Sequence, residues 1–216
     1  WYNSNISNAS NPWVPIDDFW KTLSISAIAY DPTNTQVFYV GTGEGFGSGS
    51  GGMGDGLFKS SDGGQSWSQL SASSNMKFVR DLVVRNENGQ GVLYVAVRNT
   101  NYNGFTAQGV DEGLYRSTDG GLSFTQVMPN VPGSTYHYAS GDIEIGADNR
   151  IWVGSVNAVS TDGSRGGGDI LYSDDGLNFT RVKNTDGERV ELAVAPSNAA
   201  FIYALIEKNG ILDKLL

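Results

Sequence analysis

The 216-residue chain carries 14 basic and 23 acidic residues, a formal net charge of −9, which argues against nucleic acid or an anionic membrane surface as a partner. No apolar run reaches the ~18 residues needed to cross a bilayer, so membrane insertion is not expected. With no cysteine, disulfides, thiolate metal sites and cysteine nucleophiles are excluded.

Residues 1–23 read as a lead-in segment. Apolar stretches at 25–30 and 37–40 then read as two strands joined by the turn Asp31-Pro32-Thr33-Asn34. A glycine-rich connection, 41–56, leads into Gly56-Leu57-Phe58-Lys59-Ser60-Ser61-Asp62-Gly63-Gly64-Gln65-Ser66-Trp67. The same succession returns with strands at 79–84 and 92–95, a long connection at 98–113, and Gly113-Leu114-Tyr115-Arg116-Ser117-Thr118-Asp119-Gly120-Gly121-Leu122-Ser123-Phe124. It returns again at 142–145 and 150–153, with a connection at 155–168 and a copy one residue shorter, Ile170 to Phe179, in which Asp174 or Asp175 fills the Asp position. A last pair, 190–194 and 201–204, opens a fourth copy that lacks the Ser-x-Asp-x-Gly element.

Each period therefore supplies four short strands, and no helical periodicity competes with them. The expected fold is all-β, a β-propeller of four-stranded blades. Blades fall at about 24–70, 78–128 and 137–182, with a half blade at 189–216. About three and a half blades make the ring incomplete, to be completed by missing sequence or by another chain.

The repeated element has a mechanical reading. Asp62 and Asp119 accept hydrogen bonds from backbone N–H groups two residues on, Gly64 and Gly121 supply the positive φ of a tight turn, and Trp67 and Phe124 pin the hairpin to the sheet. Ser60, Ser117, Ser173, Asp175 and Phe179 complete the set. Calcium or sugar binding by these aspartates is the less economical alternative, since a feature present in every blade is better explained by folding.

Ser-x-Asp-x-Gly-x-x-Trp/Phe resembles the Asp-box, or BNR repeat, of sialidases, sortilin-type domains and xyloglucanase-type glycoside hydrolases. The stretch Trp13 to Trp20, with Tyr30-Asp31-Pro32-Thr33-Asn34 and Val40-Gly41-Thr42-Gly43-Glu44-Gly45, resembles secreted surface proteins of Bacteroidetes-type bacteria. The resemblance implies a secreted or cell-surface location and a glycan or protein ligand. Binding proteins and enzymes share the repeat, so it fixes fold rather than activity.

A functional face follows by exclusion. The Asp hairpins occupy one face of such a propeller, and the three long connections lie on the other. Binding candidates there are Glu44, Asp55, Tyr102, Asp111, His137 and Tyr138. Aligning the inner strands places Ala27, Asp81, Asp142 and Glu191 at equivalent positions near the channel mouth, with Arg80 beside them. Converging carboxylates suit a calcium ion or the acid and base of a glycosidase, and wet channel walls also tolerate charge. No other cofactor is expected, and the lone His137 is a poor metal ligand. A sialidase-like site needs clustered arginines, whereas here they are scattered along the sequence. Xyloglucanase-type enzymes draw two acids from two separate propellers. The reading reached is a non-catalytic binding module, with glycoside hydrolysis by Asp81, Asp142 and Glu191 as the alternative.

Overall fold

The computed structural model describes residues 1–16, 20–22, 24–44, 52–99, 111–158 and 166–216, and the backbone of 101–102 and 105–106. The first blade is an antiparallel sheet of β1 (Ile25–Asp31), β2 (Asn34–Thr42), β3 (Leu57–Ser60) and β4 (Ser68–Gln69) in that order. The second is built from β5 (Val79–Glu87), β6 (Gln90–Val97), β9 (Gly113–Ser117) and β10 (Thr125–Gln126). Between β6 and β9 the chain makes a separate small hairpin, β7 (Asn101–Tyr102) with β8 (Phe105–Thr106). The third holds β11 (Ala139–Ile145), β12 (Ile151–Val156), β13 (Asp169–Ser173) and β14 (Thr180–Asn184). The fourth holds β15 (Arg189–Val194), β16 (Ile202–Lys208) and β17 (Ile211–Leu215). β15 also pairs with β12 through Val156 and Arg189, so the third and fourth groups are joined in one seven-stranded sheet. Among the described residues there is no α-helix, only a 3-10 turn at Ser71–Ser73.

Stacking of sheets explains the sequence pattern. Val92 to Val97 form an unbroken apolar run that is almost fully buried, because a blade with neighbours on both sides buries both faces of its second strand. Successive side chains of β6 feed two different cores. Leu93, Val95 and Val97 pack toward the first blade with Tyr39, Leu57 and Leu82, whereas Val92, Tyr94 and Ala96 pack toward the third with Ile143, Ile151 and Leu171. A smaller core of Ile170, Val190, Leu192 and Ile206 joins the third and fourth blades.

The Ser-x-Asp-x-Gly hairpins show how a few polar atoms fix each blade. Ser117 Oγ donates to Asp119 Oδ1 at 2.8 Å and accepts from Gly121 N–H at 2.8 Å. Asp119 Oδ1 accepts from the backbone N–H groups of Leu122 and Ser123, both at 3.0 Å. Asp62 does the same with Gln65 and Ser66 at 3.0 and 2.9 Å. The carboxylates therefore reach three and four residues on rather than two, spanning the whole bend. In the shorter third copy Asp175 takes the role, accepting from Leu177 and Asn178 at 2.9 and 2.8 Å, while Asp174 turns out to Arg150 at 2.7 Å. Gly64 and Gly121 adopt φ of 88° and 94°, as the turn requires. Trp67 Nε1 donates to Gly64 O at 3.0 Å, and Phe124 and Phe179 pack against the two cores between blades.

The same hairpins tie blade to blade. Lys59 of the first blade donates to Gly120 O of the second hairpin at 3.2 Å. Arg85 of the second donates to Asp174 O of the third at 2.5 Å, and the Tyr94 hydroxyl, which donates to Glu87 at 2.5 Å, lies 3.4 Å from Gly176 O. The second and third hairpins thus each present a turn carbonyl to a donor on the preceding blade.

Candidate functional site

The inner strands carry the acids singled out in the sequence, and a repeated irregularity sets their direction. A β-bulge interrupts the β1, β5 and β11 ladders between Ile25 and Ala27, between Val79 and Asp81, and between Ser140 and Asp142. Such a bulge re-aims the next side chain. Asp81 Oδ2 accepts from Ile143 N–H of the third blade at 2.9 Å, and Asp142 Oδ2 accepts from Leu192 N–H of the fourth at 2.5 Å. Both acids thus lie on the inner strands as aligned in the sequence, and each carboxylate accepts from the neighbouring blade. Each satisfies an amide on the open inner edge of the neighbouring strand, where no further strand pairs with it.

A cleft of about 610 Å³ runs along these strands, with Ile28, Asp81, Asp142 and Glu144 among its lining residues. Burial raises the carboxyls here. Asp142 is pushed up to about 6 by burial, and the adjacent Asp81 adds to the rise. Glu144, two residues further along the same face of β11, is pushed up to about 7 by burial and by the charges of Asp142 and Asp81. Asp81 is likewise raised by burial. Glu144 was not picked out in the sequence, although its spacing of two from Asp142 is the signal that places both on one face of a strand.

At the end of the inner strands where Val79 pairs with Val97 and Ala139 with Val156, the structure gathers residues distant in sequence. Arg80, the extra residue of the β5 bulge, is 5 % exposed and lies 3.6 Å from Glu191 Oε1. Arg189 Nε meets the same oxygen at 2.9 Å. Arg98 Nε donates to Asn157 O at 3.0 Å, and its guanidinium lies within electrostatic reach of Arg80, Arg189 and Glu112. Burial pulls Arg80 down to about 10, with Glu191 opposing the fall and Arg98 and Arg189 adding to it. Burial raises Glu191, with Asp142 reinforcing the rise and Arg189 and Arg80 opposing it. Arg80 and Arg189, far apart in sequence, thus meet on the one carboxylate of Glu191.

The other expected binding residues are dispersed. Glu44 is exposed, its carboxylate 3.3 Å from Gly52 N. Asp55 pairs with Lys77 at 3.6 Å and Lys21 at 3.8 Å. Asp111 is exposed, and its carbonyl accepts from the Tyr115 hydroxyl at 2.7 Å. The Tyr102 side chain lies outside the described residues. His137 Nδ1 sits 2.9 Å from Met128 O. Tyr138 does not offer its ring to a ligand: it is 2 % exposed, and its hydroxyl donates to the buried Asp169 at 2.6 Å. Its position just before β11 turns it into the core between the second and third blades. Among the described residues no three His, Asp or Glu side chains are grouped so as to hold a metal ion, and no helix is long and apolar enough to cross a membrane.

No family model matches the chain. A xyloglucanase from Hypocrea jecorina is 32 % identical over 138 residues, covering 60 % of this chain and 15 % of that protein. Among solved structures, a GH74 enzyme from Niastella koreensis superposes with a TM-score of 0.55 at 22 % identity, over 84 % of this chain and 25 % of that one. The GH74 xyloglucanase of Xanthomonas campestris gives 0.53 at 13 % identity, over 88 % and 29 %. The extracellular domain of a hybrid two-component system from B. thetaiotaomicron gives 0.57 at 12 % identity, over 94 % and 23 %. The fold is a β-propeller. The chain spans only about a quarter of these structures and less of the curated relative.

Proposed function

We propose that the chain is part of a secreted or cell-surface propeller built on Asp-box hairpins, which binds a neutral plant-type glucan of the xyloglucan class without cleaving it. The observation that carries this reading is the half-exposed pair of Arg189 and Glu191, 2.9 Å apart, with the buried Arg80 behind Glu191 at 3.6 Å. Planar guanidinium and carboxylate groups make paired hydrogen bonds, which suits the vicinal hydroxyls of a sugar ring. Acids and bases nearly balance there, so a polyanion gains little. The xyloglucanase match supports the ligand class. The use of Asp81 and Asp142 as acceptors for backbone amides supports binding over hydrolysis.

Hydrolysis is the second reading, favoured by one observation: Asp142 and Glu144 titrate near 6 and 7 beside the cleft, the range of a general acid. Affinity electrophoresis in xyloglucan, with reducing-end assays on the same samples, separates the two. The expected outcome is retardation in xyloglucan but not in polygalacturonate, no release of reducing ends, and at least about a tenfold loss of affinity in Arg189→Ala. Release of reducing ends that disappears in Glu144→Gln would overturn the binding reading.

A further inference from the structure

Glu191 has two carboxylate oxygens, and both of its arginines use the same one. Arg189 Nε lies 2.9 Å and Arg80 Nη2 3.6 Å from Oε1. Arg189 stands two residues away on the same face of β15, and its backbone is held by pairing with Val156 of β12. Arg80 belongs to β5, two blades earlier, and β11 lies between the two strands. Its direction comes from the β5 bulge, where it is the extra residue between Val79 and Asp81. A bulge aims a side chain where regular alternation would not. Asp81, next in line, turns to the Ile143 amide, and Arg80 reaches on to the fourth blade. The bulges of β1 and β11 hold the uncharged Ser26 and Gly141 at that place. The Arg80 side chain is 2 % exposed, against 38 % for Glu191. A guanidinium so enclosed does not meet a ligand; its charge acts on Glu191.

The strands packed around Glu191 bring mainly acids. Burial, and then Asp142 of β11, raise its carboxyl, and Asp81 of β5 lies within electrostatic reach. β12 carries no charged residue, Asp169 of β13 is taken by the Tyr138 hydroxyl, and on β16 Glu207 lies opposite Arg189 while Lys208 pairs with Asp186. Arg189 and Arg80 oppose the rise. Without Arg80 the carboxylate keeps its acidic neighbours and loses one cation, so it takes up a proton at higher pH. Once protonated, Glu191 no longer pairs with Arg189 as an anion, and one of its oxygens becomes a donor.

We propose that Arg80 is the positioning residue of this site: it holds Glu191 Oε1 from behind and leaves Oε2 to accept from a hydroxyl of the ligand. The identity of that ligand rests on the glucan reading above, whereas the hold of Arg80 on Glu191 rests on the fold alone. Arg189 then donates to the sugar beside an acceptor whose orientation is fixed, so one ring presents both a donating and an accepting hydroxyl to the pair. The second blade thereby sets the geometry of a site whose exposed groups stand on the fourth.

Carboxyl-carbon NMR titration of the full chain labelled in glutamate follows Glu191 directly, its signal assigned by its loss in Glu191→Gln. Arg80→Gln is expected to move the Glu191 midpoint up by about one pH unit and to weaken retardation in xyloglucan by about tenfold. Arg80→Lys, which keeps the charge, restores most of both. In a Glu191→Gln background Arg80→Gln changes affinity by less than about twofold, because a residue that acts through Glu191 has nothing left to hold. A Glu191 midpoint that stays in place in Arg80→Gln overturns the proposal, as does an equal loss of affinity in both backgrounds. If Arg80→Gln loses its circular dichroism signal, the wild type decides: the Arg80 side-chain nitrogen resonance is expected to shift with the Glu191 midpoint, and a resonance indifferent to it overturns the proposal. A wild type that ignores xyloglucan while the Glu191 midpoint still moves in Arg80→Gln refutes the glucan reading and upholds the pair.

Discussion

Replacing Asp142 by Asn separates the acid's structural work from its charge. In the fold the Asp142 carboxyl rises from 3.8 to about 6, mainly through burial, so between these values the folded chain holds more protons than the unfolded one. Stability contributed by the protonated form is present below 3.8 and is lost as pH rises toward 6. A rise of this size corresponds to about 3 kcal/mol, which partial exposure and proximity to Asp81 reduce to about 1–2 kcal/mol. Asn keeps an oxygen for the Leu192 amide and removes the buried charge. Thermal denaturation at pH 8 is therefore expected to show Asp142→Asn melting roughly 2–6 °C above wild type, with the difference vanishing at pH 4. Asp142→Ala leaves the Leu192 N–H without its acceptor and lowers stability by about 1–3 kcal/mol. If the Asn variant is as damaging as the Ala variant at pH 8, the hydrogen bond to Leu192 is not what that carboxyl provides.

Other consequences follow from the same geometry. The whole chain is expected to be most stable near pH 4–5 in denaturant titrations, because inner-strand acids such as Asp142 and Glu144 lose stability as pH rises toward 6 and 7. On the acid side, Asp62 is lowered to about 2 by hydrogen bonds from Ser66 and Ser60, so its contribution is lost as pH falls from 3.8 toward 2; a maximum at pH 8 contradicts the raised inner-strand acids, and no loss between pH 4 and pH 2 contradicts the lowered Asp62. Ser117→Ala removes a hydroxyl that is 2 % exposed and joins Asp119 to Gly121, at a cost of about 1–2 kcal/mol in chemical denaturation. Gly176 has φ of 72°, and a Cβ added there would run into the Tyr94 hydroxyl, so Gly176→Ala costs about 2–5 kcal/mol, whereas Gly89→Ala, at φ of 88° with open space around it, costs about 1–2 kcal/mol. Equal losses at the two glycines would refute the tight approach of the third hairpin to the second blade.

The fold was legible because its determinants are local. Ser117, Asp119 and Gly121 lie within one bend, and Val92 to Val97 announce a strand buried on both faces. Even there, sequence alone did not choose between Asp174 and Asp175; the shorter bend selects Asp175 because its carboxylate alone reaches the Leu177 and Asn178 amides. The inner acids were visible as an aligned column, but their role was not. Asp81 meets Ile143 across 62 residues of chain, and no periodicity within a strand reports a contact between blades. The arginine site was missed for the same reason. Arg80, Arg98 and Arg189 look solitary in sequence, and only the curvature of the blades around the channel brings them together. Tyr138 shows the converse: an aromatic in a connection reads as available, yet its hydroxyl has a buried partner in Asp169.

The claim that the face of the long connections binds glucan is tested most directly by amide chemical shifts during titration with a xyloglucan oligosaccharide. The account predicts shifts concentrated at Arg98, Asn157, Arg189 and Glu191, with the hairpin amides of Gln65, Leu122 and Asn178 unmoved. Shifts centred on the hairpins, or none at millimolar ligand, would contradict it.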